Sequence, residues 1–488
     1  MKKLLLSIII GSIMLMAEDP SASKACSTLN DSINAMAQGI EINHKNIMAL
    51  VKTIHKSKDS KEVSKAKEDL ENMNQGTKTR AANNQYDEMY RELKKSYEAS
   101  CGAFTKENNK TVTTLINRSI AFNNILAKEL ADPFSLSKTK KQVTLQDIVN
   151  IYSEETNNTA VLLLVHKKGK SYKVSSGIAD RESKRRIKTD DLFEIGSASK
   201  VFTGIAIFQL MEAGKLTLDT KLKVFYPKGD ITKLANYKGQ NYWDEVTVGM
   251  LLQHTSGFID YLNVYEDDAK ALKILGGKDK HYDLKKLVKL AVDFGDANFK
   301  PGTQFKYCNT GFIILGDIIS IVSGMDWHDY IQKNIIEKVG MKHTYFGSRI
   351  SAELRAKMPK GYMQQQETFM PPSLAGSAGE IISTLDDLAA LMQAWGSGQL
   401  YQNPKTLPFQ LKEGFHQEAK NIKNIMYGYA LMEMDGYYGH GGQTFGFQSY
   451  MTINPKSGDI FIVGVNDSTV ASMDLFMQLA GITYKQVE

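Results

Sequence analysis

The chain has 488 residues, 42% hydrophobic and 23% charged, with a formal net charge of +6 at neutral pH. That length suits two or three domains, and that composition suits a globular protein. No dense Lys/Arg patch interleaved with aromatics is present, which argues against nucleic-acid binding. No internal repeat or long low-complexity tract stands out either.

The first 17 residues read as a secretory signal peptide. Lys2 and Lys3 form its charged start, and Leu4 to Met16 form an apolar run short for a bilayer span. Cleavage is expected near Ala17; an uncleaved N-terminal anchor is the alternative. The expected location is periplasmic or secreted, with no stable membrane span after cleavage. In an oxidising compartment Cys26 and Cys101 are expected to pair. Cys308 is then the odd cysteine. No Cys/His cluster suggests a metal site, and no cofactor is expected.

Residues 18–132 carry a helical pattern, with Ile33, Met36, Ile40, Ile47, Leu50 and Ile54 near helical spacing. They read as a helical N-terminal domain without a catalytic constellation. Docking a protein, binding the cell wall and acting as a spacer all remain open for it. Residues 133–142 read as a linker, and 143–488 as the second domain.

In that second domain Leu145 to Tyr152 suggests a short helix. Thr159 to Val165 and Tyr172 to Ser176 suggest a hairpin turning at Gly169. Gly196 to Ser199 are small residues that lead into the apolar run Val201 to Met211, which stops at Gly214. Ser197 and Lys200 are three apart, so they share one face of a helix. A hydroxyl at a helix N-terminus with an amine one turn on has the geometry of a base-activated nucleophile. Ser-x-x-Lys also occurs at Ser21, Ser64, Ser135 and Ser137, but in polar, lysine-rich surroundings. The bland reading of Ser197 and Lys200 is a helix cap and a lysine reaching for solvent.

Val246 to Phe258 reads as a short helix with a tight turn at Gly257. His254 within it reads as a loop-organising residue that hydrogen-bonds backbone carbonyls. If Phe305 to Asn309 is extended, Tyr307 and Asn309 face one side and Cys308 the other. The plainer reading is a buried Tyr and a turn Asn before the apolar helix Phe312 to Val322. Ser383 reads as a helix N-cap with Asp386 in the capping-box position. His440-Gly441-Gly442 is a glycine-rich stretch suited to close backbone approach. It leads into strands Gln448 to Ile453 and Ile460 to Val465, and a helix from about Ala471 to Leu479 closes the pattern.

Ser197-Ala198-Ser199-Lys200, Tyr307-Cys308-Asn309 and His440-Gly441-Gly442, in that order, resemble the penicillin-recognising serine hydrolases. The likeness is to the branch of class C β-lactamases, D-alanyl-D-alanine carboxypeptidases and related esterases. Leu252 to Gly257 and Pro301-Gly302-Thr303 resemble its connecting motifs. The likeness spans roughly Val143 to Leu479. It implies an α+β fold of the β-lactamase/transpeptidase type, with an antiparallel sheet flanked by helices plus an all-helical lobe. The N- and C-terminal strands of that sheet would pair.

The resemblance further implies that Ser197 is the acylated nucleophile, Lys200 its base and Tyr307 the proton relay. It implies that Asn309 binds the substrate amide, that His440 and Gly442 lie along the substrate, and that Ser197 and Gln443 N–H groups form an oxyanion hole. His440 stands where many relatives have lysine, which makes a weaker carboxylate anchor. The implied substrate is a peptidoglycan stem peptide ending in D-alanine. An ester or a β-lactam is the alternative of the same chemistry, and a catalytically silent wall-binding protein is the alternative of another class.

Overall fold

The computed structural model describes residues 144–262, 268–277, 280–363, 366–413, 416–417, 425–470 and 472–480. The chain divides into two units between Val143 and Thr144, and the description below is of the second. The expected signal peptide, the helical segment 18–132, the Cys26–Cys101 pair and the linker 133–142 lie outside the described residues.

An eight-stranded antiparallel sheet organises this unit. Its strands are β1 (Val161–Lys167), β2 (Lys170–Ser176), β3 (His416–Gln417), β4 (Met426–Tyr427), β5 (Met432–Met434), β6 (Tyr437–Gln443), β7 (Gln448–Ile453) and β8 (Ile460–Val465). The spatial order is β3-β4-β5-β6-β7-β8-β1-β2, so the first long strand pairs with the last. Val161 lies opposite Val465 and His166 opposite Ile460. β1 and β2 are joined through Lys168 and Gly169, both at positive φ (53° and 74°), as a two-residue hairpin requires.

Both faces of the sheet are covered, which explains why Val161 to Val165 is apolar without a break. Val161, Leu163 and Val165 join Phe461, Val463 and Phe476 in one core cluster; Leu162 and Leu164 join Phe193, Phe202 and Trp395 in the other. The main helices are α1 (Leu145–Glu155), α2 (Lys200–Glu212), α3 (Asn309–Ser323), α4 (Leu385–Gly396) and α5 (Ser472–Ala480). α1 starts at a capping box in which Thr144 and Asp147 exchange hydrogen bonds. α2 is apolar nearly all round and lies in the second core, so it is held by packing on every side.

Three local expectations shift. The helix after Ile381–Ser383 is capped by Thr384, not Ser383; the Thr384 side chain accepts from Asp387 N–H, while the Ser383 hydroxyl meets Thr344 at 2.8 Å. The glycine-rich stretch around His440 is itself the strand β6. Extended chain runs only to Cys308, and Asn309 is the first residue of α3.

Candidate active site

Two backbones meet closely where α2 begins. Gly196 to Ser199 form one 3-10 turn before Lys200 starts the α-helix. β6 runs against this turn. A Cβ on Gly442 would stand 1.8 Å from the Ile195 carbonyl oxygen, and one on Gly196 would stand 2.6 Å from the Gln443 amide nitrogen. Any side chain at either position would prise the turn off the strand. Ser449 on β7 donates to the same Ile195 carbonyl at 2.7 Å. The glycines of this region therefore fix where Ser197 sits relative to Gln443.

Ser197 is half-buried and Lys200 fully buried. Lys200 Nζ lies 3.0 Å from Ser197 Oγ, and it donates at 2.8 Å to both Asn309 Oδ1 and the Ala378 carbonyl. Burial lowers its pKa from 10.5 to about 7; nearby Asp260 opposes that shift. A neutral amine has two hydrogens and one lone pair. The two carbonyl-type oxygens take both hydrogens, which leaves the lone pair for the Ser197 hydroxyl. The bland reading of a lysine reaching for solvent does not describe this side chain.

The acceptors around Lys200 are themselves held. Asn309 Nδ2 and backbone N–H both donate to Asp260 Oδ2 at 3.0 Å, and Leu262 N–H donates to Asp260 Oδ1 at 3.0 Å. The Asp260 carboxylate thus fixes which end of the Asn309 amide meets the lysine. The Ala378 turn is tied down on both sides. Thr203 donates to the Ser377 carbonyl at 2.7 Å, Ser377 to the Phe312 carbonyl at 2.8 Å, and Ile381 N–H to Ser199 Oγ at 3.1 Å.

Tyr307 lies beside this cluster, with Lys200 Nζ 5.0 Å from its ring centroid. Cys308 turns the other way, into the core, with Sγ 3.5 Å from the Phe258 carbonyl, and burial pushes its thiol up to about 12. His254 organises the loop as expected, but its ring does so by accepting from Cys308 N–H at Nδ1 (3.1 Å), not by bonding backbone carbonyls.

Two residues expected to touch substrate are otherwise engaged. Asn309 has both ends of its amide committed to Lys200 and Asp260 and is 6% exposed. It positions the base, and these two bonds leave the second Nδ2 hydrogen unused, so the expected bond to a substrate carbonyl stays open to it. His440 is fully buried. Its Nδ1–H donates to the Gly441 carbonyl at 2.5 Å, so Nε2 accepts from the Tyr427 hydroxyl at 3.0 Å. Burial and the nearby Lys200 bring its pKa down to about 3, so the ring is neutral and offers no cation to a carboxylate. Gly442 and Gln443 stand along the nucleophile's turn.

Sequence reasoning missed Asp260, the Ala378 carbonyl and Tyr427. Asp260 had a signal: it is a lone acid between apolar Phe258-Ile259 and Tyr261-Leu262, in a chain where buried charge needs partners. Ala378 acts through its backbone and Tyr427 through His440, two strands away in the sheet, and neither is marked by residue type.

The arrangement is a serine hydroxyl facing the lone pair of a buried amine, with a phenol beside it and a strand edge along one side. A family model described as beta-lactamase matches residues 145–477. Penicillin-binding protein 4 of Amycolatopsis lactamdurans is 26% identical over 340 residues, covering 65% of this chain and 84% of its own. Penicillin-binding protein 4* of Bacillus subtilis is 30% identical over 239 residues, 48% of this chain and about half (49%) of that protein. The crystal structure of a penicillin binding protein from Bacillus halodurans matches with a TM-score of 0.56 and 26% identity, covering 68% of this chain and 98% of that one. The chain belongs to the beta-lactamase family, whose members are serine hydrolases.

Proposed function

We propose that the chain is an exported serine hydrolase that works through an acyl-enzyme on Ser197, as a D,D-carboxypeptidase or peptidase on peptidoglycan stem peptides. The observation that carries the chemistry is Lys200 Nζ, buried and 3.0 Å from Ser197 Oγ with its hydrogens directed to Asn309 and Ala378. Lys200 takes the Ser197 proton as Oγ attacks a carbonyl. The N–H groups of Ser197 and Gln443 receive the developing oxyanion. Tyr307 hands a proton to the leaving group and recovers one from Lys200, so the Ser197 proton ends on the leaving group. Water then attacks the ester and restores Ser197. The similarity to penicillin-binding proteins supports a D-alanine-ending peptide as acyl donor. Export rests on the sequence of residues 1–17.

A second reading, hydrolysis of esters or amides whose leaving group lacks a free carboxylate, is favoured by the enclosed, neutral His440. One substrate panel tests both. The full chain is incubated with an acyl-D-Ala-D-Ala dipeptide, the corresponding D-Ala amide and a D-Ala methyl ester, and product release is followed. Release of D-alanine from the dipeptide is the expected result. Turnover of the amide and ester alone would replace the carboxypeptidase reading with the second.

A further inference from the structure

His254 sits at φ 56°, in the left-handed region rarely adopted by residues other than glycine, and is 1% exposed. That conformation lets it grip one segment twice. Its carbonyl accepts from Lys306 N–H at 3.0 Å, and its Nδ1 accepts from Cys308 N–H at 3.1 Å. Tyr307 is the residue between those two bonds. Because Nδ1 is an acceptor, the ring proton is on Nε2. That Nε2–H is buried and has no hydrogen-bond partner among the described residues. A buried donor left without an acceptor is costly and needs a reason. Its surroundings supply one, since the His254 ring centroid is 4.2 Å from that of Tyr307.

We propose that His254 is the positioning residue of the proton relay: it clamps the chain on both sides of Tyr307, and its Nε2–H favours the ionised form of that phenol. The inference rests on the acyl-enzyme reading above. In that reading Tyr307 is a phenolate between giving its proton to the leaving group and regaining one from Lys200. His254 Nε2–H and the Tyr307 hydroxyl do not bond each other in this resting arrangement; with the rings adjacent, a phenolate that shifts toward that N–H gains a charge-assisted hydrogen bond that the neutral phenol does not need. The other groups facing Tyr307 are Lys200 on α2, Tyr427 on β4 with ring centroids 5.8 Å apart, and His440 on β6 at 6.2 Å. Tyr261, Asp260 and Cys308 belong to the same buried cluster.

The test uses the full chain with p-nitrophenyl acetate from pH 5 to 11, and separates the burst of acylation from the steady state of deacylation. His254→Asn keeps an oxygen near the Nδ1 position and tolerates left-handed φ, but loses the Nε2–H. His254→Gln keeps an N–H near the Nε2 position. The steady-state limb that reports phenol ionisation should move up by about one to two pH units in His254→Asn, the size expected for losing a hydrogen bond to a charged group. It should stay in place in His254→Gln. A His254→Asn limb that coincides with wild type, whatever the loss of rate or thermal stability, would overturn the role. If the Asn variant does not fold, a displaced limb in His254→Gln overturns it equally. A wild type without any burst would overturn the acyl-enzyme reading itself, and this inference with it.

Discussion

Replacing Lys200 by methionine should change how stability depends on pH, with a sign fixed by the buried amine. In the folded chain Lys200 has its pKa lowered from 10.5 to about 7, with burial as the main cause. Between those values the unfolded chain binds a proton at this site that the folded chain does not. Stability therefore rises with pH across that window. Below about pH 7 both states are protonated and the slope vanishes; above about pH 10.5 both are neutral. At about 1.4 kcal/mol per pH unit, the full displacement corresponds to on the order of 5 kcal/mol. Lys200→Met has no such proton, although it leaves Asn309 Oδ1 and the Ala378 carbonyl without their donor. That loss is a constant offset and does not add a slope. Urea unfolding of both proteins at pH 6, 7, 8, 9 and 10 separates the two effects. The wild-type free energy minus that of the variant should climb steadily from pH 7 to 10. A flat difference, or one that falls, would mean that the buried amine is not held neutral and that the base assignment lacks its physical ground.

Other outcomes follow from the same contacts. Asp260→Asn removes the negative charge that raises the Lys200 pKa, so the acid limb of serine labelling should move to lower pH by about one unit; movement the other way would contradict the electrostatic account. Gly442→Ala should abolish acylation and lower the unfolding midpoint, because the new Cβ would stand 1.8 Å from the Ile195 carbonyl oxygen. An active, equally stable Gly442→Ala protein would show that β6 does not fix the nucleophile's turn. His440 should give no imidazole titration by NMR between pH 5 and 8, since its pKa is lowered to about 3. A His440 midpoint near 6.5 would restore it as a cationic carboxylate anchor.

Much of the scaffold was legible because it is written in local chemistry. The β1–β2 hairpin has its turn glycine, the buried α2 has an apolar run with a glycine stop, and Ser197 and Lys200 lie one helical turn apart. What was not legible depends on contacts distant in sequence. β6 reads in sequence as a glycine stretch suited to close backbone approach, but nothing there marks Ile195 and Met451 as the groups that crowd it. A Cβ on Gly439 would meet the Met451 carbonyl at 1.9 Å, so its glycine serves packing within a strand. The one-residue slip from Ser383 to Thr384 has a similar cause, because the Ser383 hydroxyl is already bonded to Thr344. Asn309 carries the family motif, but Lys200 and Asp260 occupy both ends of its amide, a fact no spacing rule could give. His440 reads as a weak cation in sequence and is a neutral, enclosed ring in the fold.

The central claim is that Ser197 is a nucleophile activated by Lys200. It is tested most directly by intact mass and peptide mapping of the full chain after incubation with a fluorescent penicillin and, separately, with an activated fluorophosphonate. A covalent adduct on Ser197 with either reagent, absent in Ser197→Ala and in Lys200→Met, is the predicted result. No adduct with either reagent, or an adduct that persists in Ser197→Ala, would contradict the account.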